Sequence, residues 1–205
     1  MTVIIDYGVG NLFSLTCSFK KIGADVTVSD DPEIIRNADR LILPGVGAFE
    51  DAAAKLKESG LDKILIEKAE SGTPVLGICL GMQLLFERSF EYGEHEGLGL
   101  LKGDIVSFKG AIDNSLKIPH IGWNAITKHS DCPIFKYVKN GEHVYFVHSY
   151  YAPKDVPSAA VTSDYGIEFA AAVQNNNIFG CQFHPEKSGD VGLNILRAFI
   201  EIGEN

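Results

Sequence analysis

Apolar and polar positions along the 205 residues change their spacing about halfway. In the first half, short apolar runs alternate with stretches whose apolar residues recur every three or four positions. Val3–Asp6 and Pro74–Ile78 read as short buried strands, and Ala24–Ser29 and Arg40–Leu43 as the second and third strands between them. Between them, Leu12, Leu15, Phe19 and Ile22 mark one helix face, and Asp30-Asp31-Pro32 opens a short helix. Further helices are predicted around Asp51–Glu58 and Leu61–Ser71, and another over Leu80–Glu87. From Phe90 onward shorter alternating segments take over: Gly103–Phe108, Gly122–Lys128, His143–Tyr151, Ala159–Ser163, Phe169–Gln174 and Ile178–Phe183. Asn175-Asn176-Asn177 predicts a hairpin between the last two. A final helix spans Asp190–Ile202. The fold class expected is α/β: a mainly parallel central sheet with helices on both faces, flavodoxin-like, plus a smaller antiparallel β portion in the C-terminal half.

The chain has the length of one sizeable core, so a single domain over residues 1–205 is expected. With 27 acidic and 18 basic residues the net charge is -9, and no basic run points to nucleic acid. No window is long enough to span a membrane, and Met1–Asp6 goes straight into a strand pattern, so a cytoplasmic protein is expected. Cys17, Cys79, Cys132 and Cys181 are dispersed, which argues against structural zinc and a disulfide framework; neither metal nor cofactor is expected.

One cysteine stands apart. Cys79 lies between the strand Pro74–Ile78 and the following helix, with Gly77 and Gly81 two residues to either side. This is a nucleophile elbow with cysteine in place of serine. It projects the sulfur over the sheet end and leaves the Leu80 N–H facing a developing oxyanion. One strand earlier, Pro44-Gly45-Val46-Gly47 sits at the same sheet end, where its glycines allow peptide groups to turn inward. A late strand ends in His184-Pro185-Glu186. A carboxylate two residues on can hold one ring nitrogen while the other faces a nucleophile. By contrast, Gly8-Val9-Gly10 lacks the third glycine of a dinucleotide fingerprint and is read as a tight turn.

Together, Gly77-Ile78-Cys79-Leu80-Gly81-Met82-Gln83, the Pro-Gly-Val-Gly loop and Phe183-His184-Pro185-Glu186 resemble the class I, or triad, glutamine amidotransferases over almost the whole chain. The resemblance implies a Cys79-His184-Glu186 triad acting on L-glutamine, with Val46, Gly47 and Leu80 at the oxyanion hole. It implies substrate contacts at Gly47, Gln83, Glu91, Ser149 and Tyr150. The segments Leu43–Phe49, Lys117–Asn124 and Tyr145–Tyr151 look like one branch of that family. Its members feed ammonia to a separate (β/α)8-barrel cyclase that makes imidazole glycerol phosphate and AICAR in histidine biosynthesis. The Ser-Pro-Gly-Pro-Gly and Gly-Gly-Glu-Ser loops of other branches are absent. The same resemblance puts Asn11, Trp123, Tyr145 and Lys187 at the interface of a heterodimer with the cyclase. His120 and His148 are taken as structural. A triad glutaminase serving another synthase, a stand-alone cysteine hydrolase and a silent binding subunit are the alternatives.

Overall fold

A computed structural model describes residues 1–203. The first five strands to meet in the main sheet are parallel. They are β1 (Thr2–Ile5), β2 (Val26–Ser29), β3 (Arg40–Leu43), β4 (Val75–Ile78) and, from the far end of the chain, β13 (Ile178–Cys181). Four antiparallel strands extend the same sheet: β8 (His120–Lys128), β9 (His143–His148), β11 (Ala159–Asp164) and β12 (Glu168–Asn175). The order across the nine is β2-β1-β3-β4-β13-β12-β11-β8-β9. A second sheet, ordered β10-β7-β5-β6, is built from β5 (Phe86–Ser89), β6 (His95–Glu96), β7 (Leu101–Ser107) and β10 (Tyr150–Tyr151).

Alternate residues of the parallel strands enter two separate cores. Ile4, Ile42, Leu76 and Ile78 pack with Leu15 and Phe19 of α1 (Leu12–Lys21) and with Ile195, Leu196 and Phe199 of α6 (Gly189–Ile200). Val3, Ile5, Leu41, Leu43 and Val75 pack on the opposite face. There they meet Ile35 of α2 (Pro32–Arg36), Phe49 and Leu56 of α3 (Phe49–Glu58), and Leu61 and Leu65 of α4 (Leu61–Glu70). β1, β3, β4 and β13 are therefore buried along their whole length because both faces are covered, whereas the edge strand β2 is only partly buried.

Two expectations about individual elements change. The helix predicted over Leu80–Glu87 stops early: α5 covers Leu80–Leu84, and Phe86 begins β5. Leu84, Leu85 and Phe86 are all buried, so this run carries no period that separates helix from strand. The strand predicted over His143–Tyr151 breaks at Ser149, where the chain passes from the main sheet into the second. The Asn-rich hairpin forms as expected, with Asn175 opposite Ile178 and Asn176 in the left-handed region.

Candidate active site

The three chemistry-bearing loops meet because three adjacent strands end at one level. Leu43 of β3 is in register with Gly77 of β4, and Ile78 of β4 with Cys181 of β13. The residues that follow each strand emerge side by side at the carboxyl edge of the sheet: Pro44–Gly47, Cys79, and Gln182–Glu186. The Cys79 N–H is tied to the Cys181 carbonyl at 2.7 Å. Cys79 itself turns sharply, with φ 55° and ψ -111°, a conformation L-residues avoid. The flanking glycines are obligatory there. A Cβ on Gly81 would lie 1.8 Å from the Leu43 carbonyl oxygen, and one on Gly77 2.7 Å from the Met82 backbone.

His184 and Glu186 are joined at 2.8 Å from Nδ1 to Oε1, and both side chains are almost wholly buried. That bond leaves Nε2 for Cys79, which lies within side-chain hydrogen-bonding reach of the ring. Burial pulls the imidazole pKa down, but the hydrogen bonds to Cys79 and Glu186, with their charges, outweigh it and hold the pKa up at about 10. The ring is therefore poised as an imidazolium. Cys132 and Cys181 are buried thiols whose pKa values burial pushes up, the former to about 12, and neither lines the pocket.

A pocket of about 360 Å³ opens over Cys79. Val46, Gly47, Leu80, Gln83, Glu91, Ser149, Tyr150 and His184 line it together, so every sequence-expected substrate and oxyanion residue faces one space. Glu186 lies behind His184. The second sheet and the β9–β10 switch supply Glu91, Ser149 and Tyr150. Glu91 Oε2 accepts the Phe49 N–H at 2.6 Å, at the start of α3. Burial raises the Glu91 pKa, against the pull of that N–H.

The structure also brings in residues that sequence reasoning missed. His148 lines the pocket and donates from Nδ1 to the Tyr150 carbonyl at 2.8 Å, while its Nε2 meets His120 Nδ1 at 3.1 Å. Burial, the largest influence, drives the His148 pKa down to about 3. Gln182, fully buried, bonds Gln83 at 2.9 Å and reaches the Cys79 sulfur at 3.8 Å. The only signal for it in sequence is a glutamine prolonging the apolar run Ile178–Cys181.

Of the expected interface residues, Trp123 is half exposed and its ring meets Tyr145 at 5.9 Å, edge to face. Lys187 Nζ stands 5.8 Å from the Tyr145 ring centre. These three form one aromatic and cationic cluster, of which Lys187 also lines the pocket. Asn11 lies apart from it, beside Pro44 and Val46, where its side chain caps α1.

The family model for class I glutamine amidotransferases matches residues 3–202. The chain belongs to that family. Among its relatives in the amidotransferase family, imidazole glycerol phosphate synthase subunit HisH of Syntrophotalea carbinolica is 50% identical over 203 residues, covering 97% of this chain and 98% of the relative. The subunit of the same name from Caldanaerobacter subterraneus subsp. tengcongensis is 49% identical over 205 residues, with 98% of each covered. The amidotransferase fold is shared with a solved chain of PurLQS from Thermotoga maritima, with a TM-score of 0.75 at 21% identity, covering 98% of this chain and 97% of that one.

Proposed function

We propose that this amidotransferase is the glutamine-hydrolysing subunit of an imidazole glycerol phosphate synthase. It releases glutamate and passes ammonia to a (β/α)8-barrel cyclase in histidine biosynthesis, a cytoplasmic role. The observation that carries the reading is the buried His184–Glu186 pair set against Cys79 at the floor of the pocket; near-full-length likeness to HisH subunits supports the choice of branch.

Glutamine's carboxamide is a weak electrophile, so the site has to supply nucleophile, oxyanion donors and acid together. The Cys79 sulfur attacks the amide carbon and the C=O electrons move to oxygen. The N–H of Leu80, a first-turn donor without an intrahelical acceptor, takes that oxyanion with an N–H of the Val46–Gly47 segment. As the C–N bond breaks, the His184 imidazolium gives its proton to the departing nitrogen, which leaves as ammonia. The resulting γ-glutamyl thioester is hydrolysed by a water that the now neutral His184 deprotonates. The S–C bond then breaks, and the thiolate–imidazolium pair returns. Glu186 orients the ring throughout. Glu91 takes the α-ammonium and the Ser149–Tyr150 segment the α-carboxylate. Trp123, Tyr145, Lys187 and Asn11 form the cyclase-facing rim, and a Val46 N–H turned inward only in the complex gates the rate.

The test is to mix the chain, together with its cyclase and the cyclase's nucleotide ligand, with labelled glutamine, quench rapidly with acid and look for label on the Cys79 peptide. The expected result is a glutamyl adduct on Cys79 with release of glutamate. In Cys79→Ala both are absent, with turnover reduced by about a thousandfold or more. Glutamate release by Cys79→Ala at the wild-type rate would reject the assignment.

A further inference from the structure

Gln182 belongs to no part of the triad, yet it touches the reacting sulfur. Its orientation can be deduced by following hydrogen-bond roles outward from a group with only one role. The Tyr150 backbone carbonyl can only accept, so the end of Gln83 that meets it at 3.0 Å must be the amide nitrogen. The same Gln83 nitrogen meets Gln182 at 2.9 Å, so Gln182 turns its carbonyl oxygen to Gln83. The remaining end of the Gln182 amide, its N–H group, then faces Cys79 Sγ at 3.8 Å. Reversing Gln83 would set its oxygen against the Tyr150 carbonyl, and reversing Gln182 would set its amide nitrogen against that of Gln83, so no other orientation fits this chain of contacts.

Two consequences follow from the locked order. The sulfur receives the Gln182 N–H on one side, shares the pocket with the His184 ring, and lies 3.9 Å from the Val147 carbonyl. Gln83 has spent its nitrogen on Tyr150 and Gln182, so its Oε1, which has no donor among the described residues, is what it offers to the pocket. A pocket acceptor of that kind matches the N–H of a carboxamide or ammonium and repels a carboxylate. Gln182 is held for this task. It is fully buried, and its own N–H is anchored to the Ala171 carbonyl at 2.9 Å.

We propose that Gln182 is a further catalytic residue, whose side-chain N–H holds the Cys79 sulfur ready for attack while its carbonyl oxygen fixes Gln83 with Oε1 toward the substrate's N–H. This rests on Cys79 being the nucleophile.

Gln182→Met, close in volume and without donor or acceptor, tests it. Three quantities are measured on the chain with its cyclase subunit and the cyclase's nucleotide ligand: kcat, KM for glutamine, and the rate of Cys79 alkylation by iodoacetamide at neutral pH, read from the Cys79 peptide so that exposed Cys17 does not interfere. Loss of a hydrogen bond to a charged group predicts that kcat and alkylation each fall by about tenfold. KM rises as Gln83 loosens. Gln182→Glu keeps an acceptor for Gln83 but sets oxygen against sulfur. It should slow alkylation as much while leaving KM near the wild-type value, a split that mere loss of packing does not produce. Wild-type kcat and alkylation in Gln182→Met overturn the proposal, and if that variant does not fold, wild-type alkylation in Gln182→Glu does so. A wild-type complex that releases no glutamate would instead overturn the nucleophile assignment beneath it, and this role with it.

Discussion

At the scale of single residues, the site combines a strained backbone with an unusual ionisation. Cys79 holds φ 55°, at a cost of about 1–3 kcal/mol that the surrounding glycines and strand register sustain. Replacing Cys79 with glycine removes the strain, whereas alanine keeps it. Cys79→Gly is therefore expected to be more stable than Cys79→Ala by about 1 kcal/mol in denaturant melts, after allowing for the flexibility glycine adds to the unfolded chain. Equal stabilities would deny that the elbow is strained. His184 carries the ionisation. Its folded pKa of about 10 lies above the ordinary 6.5, so the pairing contributes its full stabilisation below about pH 6.5 and loses it as pH rises through about 10. The acid needed by the leaving nitrogen persists across neutrality, so kcat should hold on the alkaline side and decline near pH 10. A decline centred near pH 7 would show that the ring is not held as an imidazolium.

At the scale of elements, what was legible in the sequence depended on how local the cause is. The elbow could be read because Gly77 and Gly81 answer to clashes within a few residues of themselves and with the next strand. Cys79 and His184 could be singled out because each follows a short apolar run, and Glu186 because it stands two residues beyond His184. The second sheet was mostly hidden. Its strands β6 and β10 have two residues each, too short for any period, and β5 begins inside an apolar run shared with α5. Yet this sheet delivers Glu91 and Tyr150, which were named through likeness of motif and not through pattern. The role of Gln182 was hidden for another reason: a buried amide declares its purpose only through its partners. Glu91 offers a test of the second sheet's contribution. Glu91→Gln is expected to raise KM for glutamine by about tenfold or more with kcat little changed, since the charge it removes faces the ammonium and not the reacting carbon. A fall in kcat at constant KM would place Glu91 elsewhere in the reaction.

At the scale of the whole molecule, the nine-stranded sheet joins a parallel half, whose strand ends carry Cys79 and His184, to an antiparallel half. The edge strand β9 returns to the site, where the His184 N–H donates to the Tyr145 carbonyl at 3.0 Å. Buried at the end of β9, His148 is packed by Phe108, Phe146 and Phe169 and faced by His120 and, through its charge, His184. Its pKa falls from the ordinary 6.5 to about 3, and burial lowers that of His120 as well. The unfolded chain therefore binds protons that the folded chain refuses, and stability declines as pH drops from about 6.5 toward 3. His148 contributes a slope of up to about 1.4 kcal/mol per pH unit in that window. Melts of His148→Gln against wild type should show a shallower acid decline, and parallel curves would remove His148 from the explanation.

The same architecture links the Trp123–Tyr145–Lys187 cluster to the pocket over Cys79 through Lys187, which belongs to both, so under the proposed function hydrolysis and partner binding are expected to be coupled. Glutamate release is measured from the chain alone, with purified cyclase, and with cyclase plus its nucleotide ligand, using Cys79→Ala as the blank. Turnover near the blank for the chain alone, rising steeply only in the complete mixture, is the expected result. Full turnover by the chain alone, indifferent to the cyclase, would contradict the coupled glutaminase described here.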